Sequence, residues 1–235
     1  MTICIWIHGI QSGDFDAGCI NNCIRKVSEQ LPQGQYIHHV SDWGSVVFDR
    51  QRQVFNLVKS RGNWLTVKIR QAMCSLGLDM WMWLATKAGN AEGDWAHDIR
   101  ALLDGEVEKL EKANSGAKIA LIAHSWGGVI SLDYFIRHPA KAGTLITMGS
   151  PAPTFGSACF KNWGDPKLLK NVTAWHNIAT PNDPISYLMR DNPNPDWQGI
   201  VKEHDIFSFN PFPMTSHSMY FKNKKVHKII AAALH

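Results

Sequence analysis

No apolar run in this chain approaches the roughly 18 to 20 residues needed to span a bilayer, so no transmembrane segment is expected. The N-terminus, Met-Thr-Ile-Cys-Ile-Trp-Ile-His-Gly, lacks a basic leader region and a small-residue cleavage site, and its apolar stretch is only a strand long. Cysteine is scarce: Cys4, Cys19, Cys23, Cys74 and Cys159 form an odd set without a Cys-x-x-Cys pair, which reads as reduced, packed thiols. These absences together make a cytoplasmic protein the default expectation. His-Glu-x-x-His, Gly-x-Gly-x-x-Gly and Walker-type loops are also missing, so metal, dinucleotide and nucleotide chemistry have no anchor and no cofactor is expected. Charged residues make up only 19% of the chain, and its net charge of +4 is scattered except for Lys222, Lys224 and Lys225. Without a basic stripe or interleaved stacking residues, nucleic acid is not an expected partner.

What is present is a hydrophobic fraction of 45% in 235 residues, enough for one domain to bury its own core. Residues 3–7 form a β-rich apolar run, and Phe15, Cys19, Ile20, Cys23, Ile24, Val27 and Leu31 then recur at helical spacing up to Pro32. Tyr36 to Val40 reads as a second strand. Lys118 to Ala123 reads as a third, apolar throughout as in a strand covered on both faces. A helix follows over Val129 to Ile136, then strands over Leu145 to Met148 and Val172 to Ile178, and a last helix over Val226 to Leu234. This alternation predicts a mostly parallel α/β sheet flanked by helices.

Between the second and third strands, about residues 45 to 113 read as helices. The last of them has a stripe of Trp95, Ile99, Leu102, Leu103, Val107 and Leu110, with Asp94 as N-cap. Trp64, Met73, Leu76, Leu78 and the run Met80-Trp81-Met82-Trp83-Leu84 crowd the middle of this insertion, as core or as the wall of an apolar pocket. The organisation expected is one domain over 1–235 with a helical cap or insertion at about 45–95. Pro151 to Lys170 and Asp191 to Pro213 read as long loops, candidates for substrate-facing surface.

The third strand runs straight into His124-Ser125-Trp126-Gly127-Gly128 and then into an apolar helix. A serine that projects from a sharp strand-to-helix turn needs small residues two before and two after it, and Ala123 and Gly127 fill those places. Gly128 lets the helix approach the sheet closely. In its Ala-His-Ser-Trp-Gly-Gly elbow and its early His8-Gly9 the sequence resembles the α/β-hydrolase superfamily, in particular the lipase and esterase branches. The resemblance covers roughly residues 1–40 and 117–222, and departs from the usual pattern in having Ala123 where the superfamily commonly has glycine.

A serine hydroxyl is a weak nucleophile at neutral pH, so a histidine must take its proton and an acid must orient that histidine. The resemblance implies the chain order serine, acid, histidine. On that order Asp183, just past the fifth strand, is the expected acid, ahead of Asp205 and Asp191. His217, on a late loop before the last helix, is the expected base, ahead of His204, which stands beside Asp205 in a charged stretch. The resemblance further implies an oxyanion hole from the backbones of Trp126 and Ile10, with Gly9 allowing close approach and with His8 and His124 in supporting roles. His38 and His39 fall on opposite faces of their strand and cannot share a metal.

The resulting expectation is a serine hydrolase cleaving a carboxylic ester, with a small acyl ester or lipid as its substrate partner and an acyl-Ser125 intermediate. A thioesterase or acyltransferase would use the same residues. The sequence also accommodates an inactive fold kept as a binding module, and a lipase lidded by the Trp-rich segment.

Overall fold

The computed structural model describes residues 1–9, 17–44, 95–153, 169–188, 199–206 and 213–235. Among the described residues six strands form one sheet in the order β2-β1-β3-β4-β5-β6. They are β1 (Thr2–Ile7), β2 (Tyr36–Val40), β3 (Lys118–His124), β4 (Gly143–Met148), β5 (Val172–Ala179) and β6 (Val201–Asp205). Every neighbouring pair is parallel, so each connection must cross a face of the sheet.

The helices that cover those faces follow from the periodicity of two along the strands. Ile3, Ile5, Ile7, Ile119, Leu121 and Ala123 point to one face, where α2 (Trp95–Ala113) and α3 (Gly127–Arg137) bury Ile99, Leu103, Val107, Val129 and Phe135. Cys4, Trp6, Ala120 and Ile122 point to the other, under α1 (Ala17–Ser28) and α5 (Lys224–Leu234). Both faces are covered, which is why the central strands read as unbroken apolar runs. Burial pushes the Cys4 and Cys23 thiols up to about 12, and both are free, as is Cys19. No helix among the described residues is long and apolar enough to cross a membrane.

On the first face α2 and α3 are joined by an ion-pair lattice. Asp133 accepts from Arg100 Nε and Nη2 at 2.9 Å each and from Arg137 Nε at 2.8 Å, while Arg137 also grips Asp104 through both terminal nitrogens. His38 and His39 do diverge: His38 bonds Trp6 and Ser28 under α1, and His39 approaches Glu106 of α2.

Two expectations need correction. The stretch Asp191–Pro213 is not all loop, because residues 201–205 form β6 at the sheet edge. His217 lies in a short helix, α4 (Pro213–Ser218), followed by a 3₁₀ turn over Met219–Lys222. Proline at the first helical position supplies a fixed φ suited to starting a helix, a signal outweighed in sequence by the surrounding loop-like composition. Of the expected insertion at about 45–95, residues 45–94, including the Asp94 cap, lie outside the described residues, as do Ile10, Asp191 and residues 154–168 of the Pro151–Lys170 loop.

Candidate active site

The order of the sheet creates the site. From β1 the chain moves outward to β2, then returns to place β3 on the other side of β1, so the carboxyl ends of β1 and β3 bound the crevice where open α/β sheets hold ligands. Gly9 follows β1 at that end and Ser125 follows β3.

Ser125 has φ of 56°, the left-handed region, the only non-glycine residue among those described to adopt it. Such strain for a residue with a Cβ costs on the order of 1 to 3 kcal/mol and persists only where its surroundings impose it. Those surroundings are visible. Ser125 N–H donates to the Met148 carbonyl of β4 at 2.9 Å, and its own carbonyl accepts from Gly128 N–H at 3.0 Å as α3 begins. A side chain at Gly127 would collide with the Ile7 and His8 carbonyls, and one at Gly128 with the Ser150 side chain. A Cβ at Gly9 would lie 2.5 Å from the Ser125 Cβ and 3.0 Å from its Oγ. Glycines thus let β1, the turn and α3 close on one another, and Ala123, fully buried, fits where glycine is usual. The positive end of α3 begins at Trp126, beside the serine.

Asp183 and His217 meet although 34 residues separate them: His217 Nδ1 donates to Asp183 Oδ2 at 2.9 Å. Asp183 follows β5 in a turn in which its own N–H donates to the Thr180 carbonyl and its Oδ1 accepts from Ile185 N–H at 3.0 Å. Its carboxylate is sealed from solvent, while the His217 side chain is 14% exposed. The imidazole is therefore the reachable end of the pair.

His124 is buried beside this pair. Its Nε2 donates to the His217 carbonyl at 2.7 Å, and the two rings stand 4.6 Å apart at their centroids. Burial, reinforced by the nearby His217, holds its pKa well below the usual histidine value. It is a neutral strut under α4, and strand alternation turns its ring away from the Ser125 turn. His8 is also buried; its Nδ1 donates to the Gly9 carbonyl at 2.6 Å and its ring stacks on Trp43, with burial lowering its pKa.

His204 takes no part in this cluster. It stacks on His176 across β5 and β6, with Nδ1 of one and Nε2 of the other 3.0 Å apart, and Asp205 lies beyond it at the edge. It is half-buried in a strand instead of lying in a solvated stretch. Among the described residues no three His, Cys, Asp or Glu side chains converge on a metal-sized site.

Two contacts at the candidate site escaped the sequence reading. Tyr220 donates its hydroxyl to Asp183 Oδ2 at 3.0 Å, and Trp43 donates its indole N–H to the His8 carbonyl at 2.8 Å. For Tyr220 a signal existed: it lies three residues beyond His217, the spacing that puts two side chains on one side of a helical turn.

The sequence model of one family, described as the alpha/beta hydrolase fold, matches residues 86–167, which include the elbow. A comparison with curated protein sequences gives no match. Solved structures are similar over nearly the whole chain. Dienelactone hydrolase from Anabaena variabilis is 11% identical with a TM-score of 0.54, covering 99% of this chain and 85% of its own. A predicted CIB-like hydrolase from Thermoplasma acidophilum is 11% identical with a TM-score of 0.52, covering 99% and 86%. An alpha-beta serine hydrolase homologue from Coxiella burnetii is 11% identical with a TM-score of 0.52, covering 100% and 85%. These likenesses give the chain the α/β-hydrolase fold, a parallel sheet flanked by helices.

Proposed function

We propose that this chain is a serine hydrolase that cleaves a carboxylic ester through an acyl-Ser125 intermediate. The observation that carries the reading is the His217–Asp183 hydrogen bond at the same end of the sheet as the strained Ser125 turn. In the reaction Ser125 Oγ attacks the ester carbonyl while His217 Nε2 takes its proton; the imidazolium then protonates the departing alkoxide, leaving an acyl-enzyme. Water repeats the sequence in the second half, with His217 again as base, and the carboxylic acid leaves. Asp183, through Nδ1, fixes the tautomer that exposes Nε2 as acceptor and stabilises the imidazolium that forms.

The tetrahedral oxyanion needs fixed donors, and the Trp126 backbone N–H at the start of α3 is the candidate on this side of the site. Ile10 is the proposed second donor, next to the Gly9 that packs on Ser125. Tyr187 and Met219, both exposed, lie four residues past Asp183 and two past His217, which fits an apolar acyl group at the rim.

Hydrolysis of a series of p-nitrophenyl esters tests this reading. Wild type is expected to show saturable activity with an optimum acyl length, and Ser125→Ala to lose it by about 10³-fold or more. Equal activity in the two proteins would overturn the assignment.

A further inference from the structure

We infer that Tyr220 is a positioning residue that sets the basicity of His217, by donating its hydroxyl proton to the carboxylate oxygen that also receives His217 Nδ1–H. The inference rests on the proposed triad reading and adds a fourth member to it.

Asp183 is an unusual buried carboxylate because nothing with a fixed positive charge bonds it among the described residues. Its Oδ1 accepts one backbone N–H, from Ile185, and its Oδ2 accepts His217 Nδ1 at 2.9 Å and Tyr220 Oη at 3.0 Å. Two donors on one oxygen divide its charge. A hydrogen bond to an ionised acceptor is about twice as strong as one between neutral groups, so the hydroxyl withdraws a real part of the negative charge available to an imidazolium. Tyr220 therefore weakens the pull of Asp183 on the His217 proton, which lets the imidazolium give that proton up to a leaving group more readily.

The arrangement is built rigidly. His217 and Tyr220 are three residues apart on the continuous α4 and 3₁₀ segment, so their side chains reach the same carboxylate from one short stretch of backbone. His227 of α5 ties that stretch down by bonding the Phe221 carbonyl at 2.9 Å, and His124 of β3 ties down the His217 carbonyl. Gly149, at the end of β4 with φ of 54°, forms the floor: a Cβ there would lie 2.6 Å from the Tyr220 ring and 2.8 Å from Asp183 Oδ2. Burial, reinforced by the Asp183 charge, keeps the Tyr220 hydroxyl protonated far above the usual phenol range. It can act only as a donor towards Asp183 at any working pH.

Among the described residues, the titratable groups facing His217 are Asp183 from the turn after β5, Tyr220 from the 3₁₀ turn and His124 from β3, with His8 after β1 behind His124. His124 stays neutral, so Asp183 supplies the charge and Tyr220 modulates it.

The test is the pKa of His217, read from the imidazole C–H resonances across a pH titration of the intact protein, which requires no catalysis. In Tyr220→Phe the ring is kept and the hydroxyl alone is lost, with its bond to Asp183 and its contacts to Ser186 and Thr180, and the His217 value is expected to rise by about half to one pH unit. The acid limb of kcat/KM should move up by the same amount while kcat falls. A second preparation guards against a folding defect: biosynthetic 3-fluorotyrosine makes all four tyrosines (Tyr36, Tyr134, Tyr187, Tyr220) stronger donors, and only Tyr220 bonds Asp183, so the His217 value should fall. A Tyr220→Phe protein that folds, with His217 titrating as in wild type, overturns the inference. If both titrations shift as expected but neither protein depends on Ser125 for activity, the tuning stands and the triad reading fails.

Discussion

Asp133 and Asp183 are both buried, each with 3% of its surface exposed, yet they keep opposite company. Asp133, in the middle of α3, is held by Arg100 and Arg137, and Arg137 is shared with Asp104, so its charge is cancelled twice over where two helices meet. Asp183 is held by a backbone N–H, a tyrosine hydroxyl and a histidine. None of these carries a fixed charge. A carboxylate surrounded by guanidiniums serves packing, because removing it strands the cations. Among the described residues Asp183 has neutral donors for company, so a protonated His217 is the group there that can neutralise its charge, which suits the acid-base pair proposed for it.

Neutralising each aspartate in turn separates the two roles. Asp183→Asn should reduce ester hydrolysis by about 10⁴-fold, because the amide favours the wrong tautomer of His217, while thermal stability changes little. Asp133→Asn should do the reverse: it should cost about 2 to 3 kcal/mol of stability, below the figure for a fully buried pair since both arginines are partly open to water, and leave kcat near wild type. Urea denaturation and initial rates on both proteins decide this. An Asp133 variant that loses activity while folded, or an Asp183 variant that loses only stability, would dissolve the contrast.

The smallest expected effect concerns a half-buried polar pair, His176 and His204, which bears no carboxylate. Burial first, then the His204 and Lys202 charges, push His176 from its ordinary 6.5 down to about 4. The unfolded chain therefore binds protons that the folded one refuses. The contribution of this pair is complete above about pH 6.5 and is lost as the pH falls towards 4. Melting temperatures at pH 7 and 4.5 should differ more for wild type than for His176→Phe, and equal differences would remove the pair as a source of acid sensitivity.

The three polar clusters were unequally legible in the sequence. The central sheet was clear because burial on both faces leaves β1 apolar from Ile3 to Ile7 and β3 apolar from Ile119 to Ala123, and β2 spans the expected five residues. The elbow was clear because its small residues answer local collisions. β6 was not: Val-Lys-Glu-His-Asp has one apolar side chain, and an edge strand that buries only Val201 need not alternate. The partnership of Arg100 with Asp133 was invisible because it joins two helices through packing that no short-range pattern encodes. Asp183 and His217 could be nominated by chain order alone, whereas their hydrogen bond, and Tyr220 upon it, depend on how β5 and α4 are brought together in space.

Intact-mass measurement after treatment with a fluorophosphonate tests the central claim most directly, since only an activated serine forms the adduct quickly. One adduct is expected on wild type, none on Ser125→Ala, and labelling of Asp133→Asn at the wild-type rate. An unlabelled wild type, or an adduct that persists in Ser125→Ala, would contradict it.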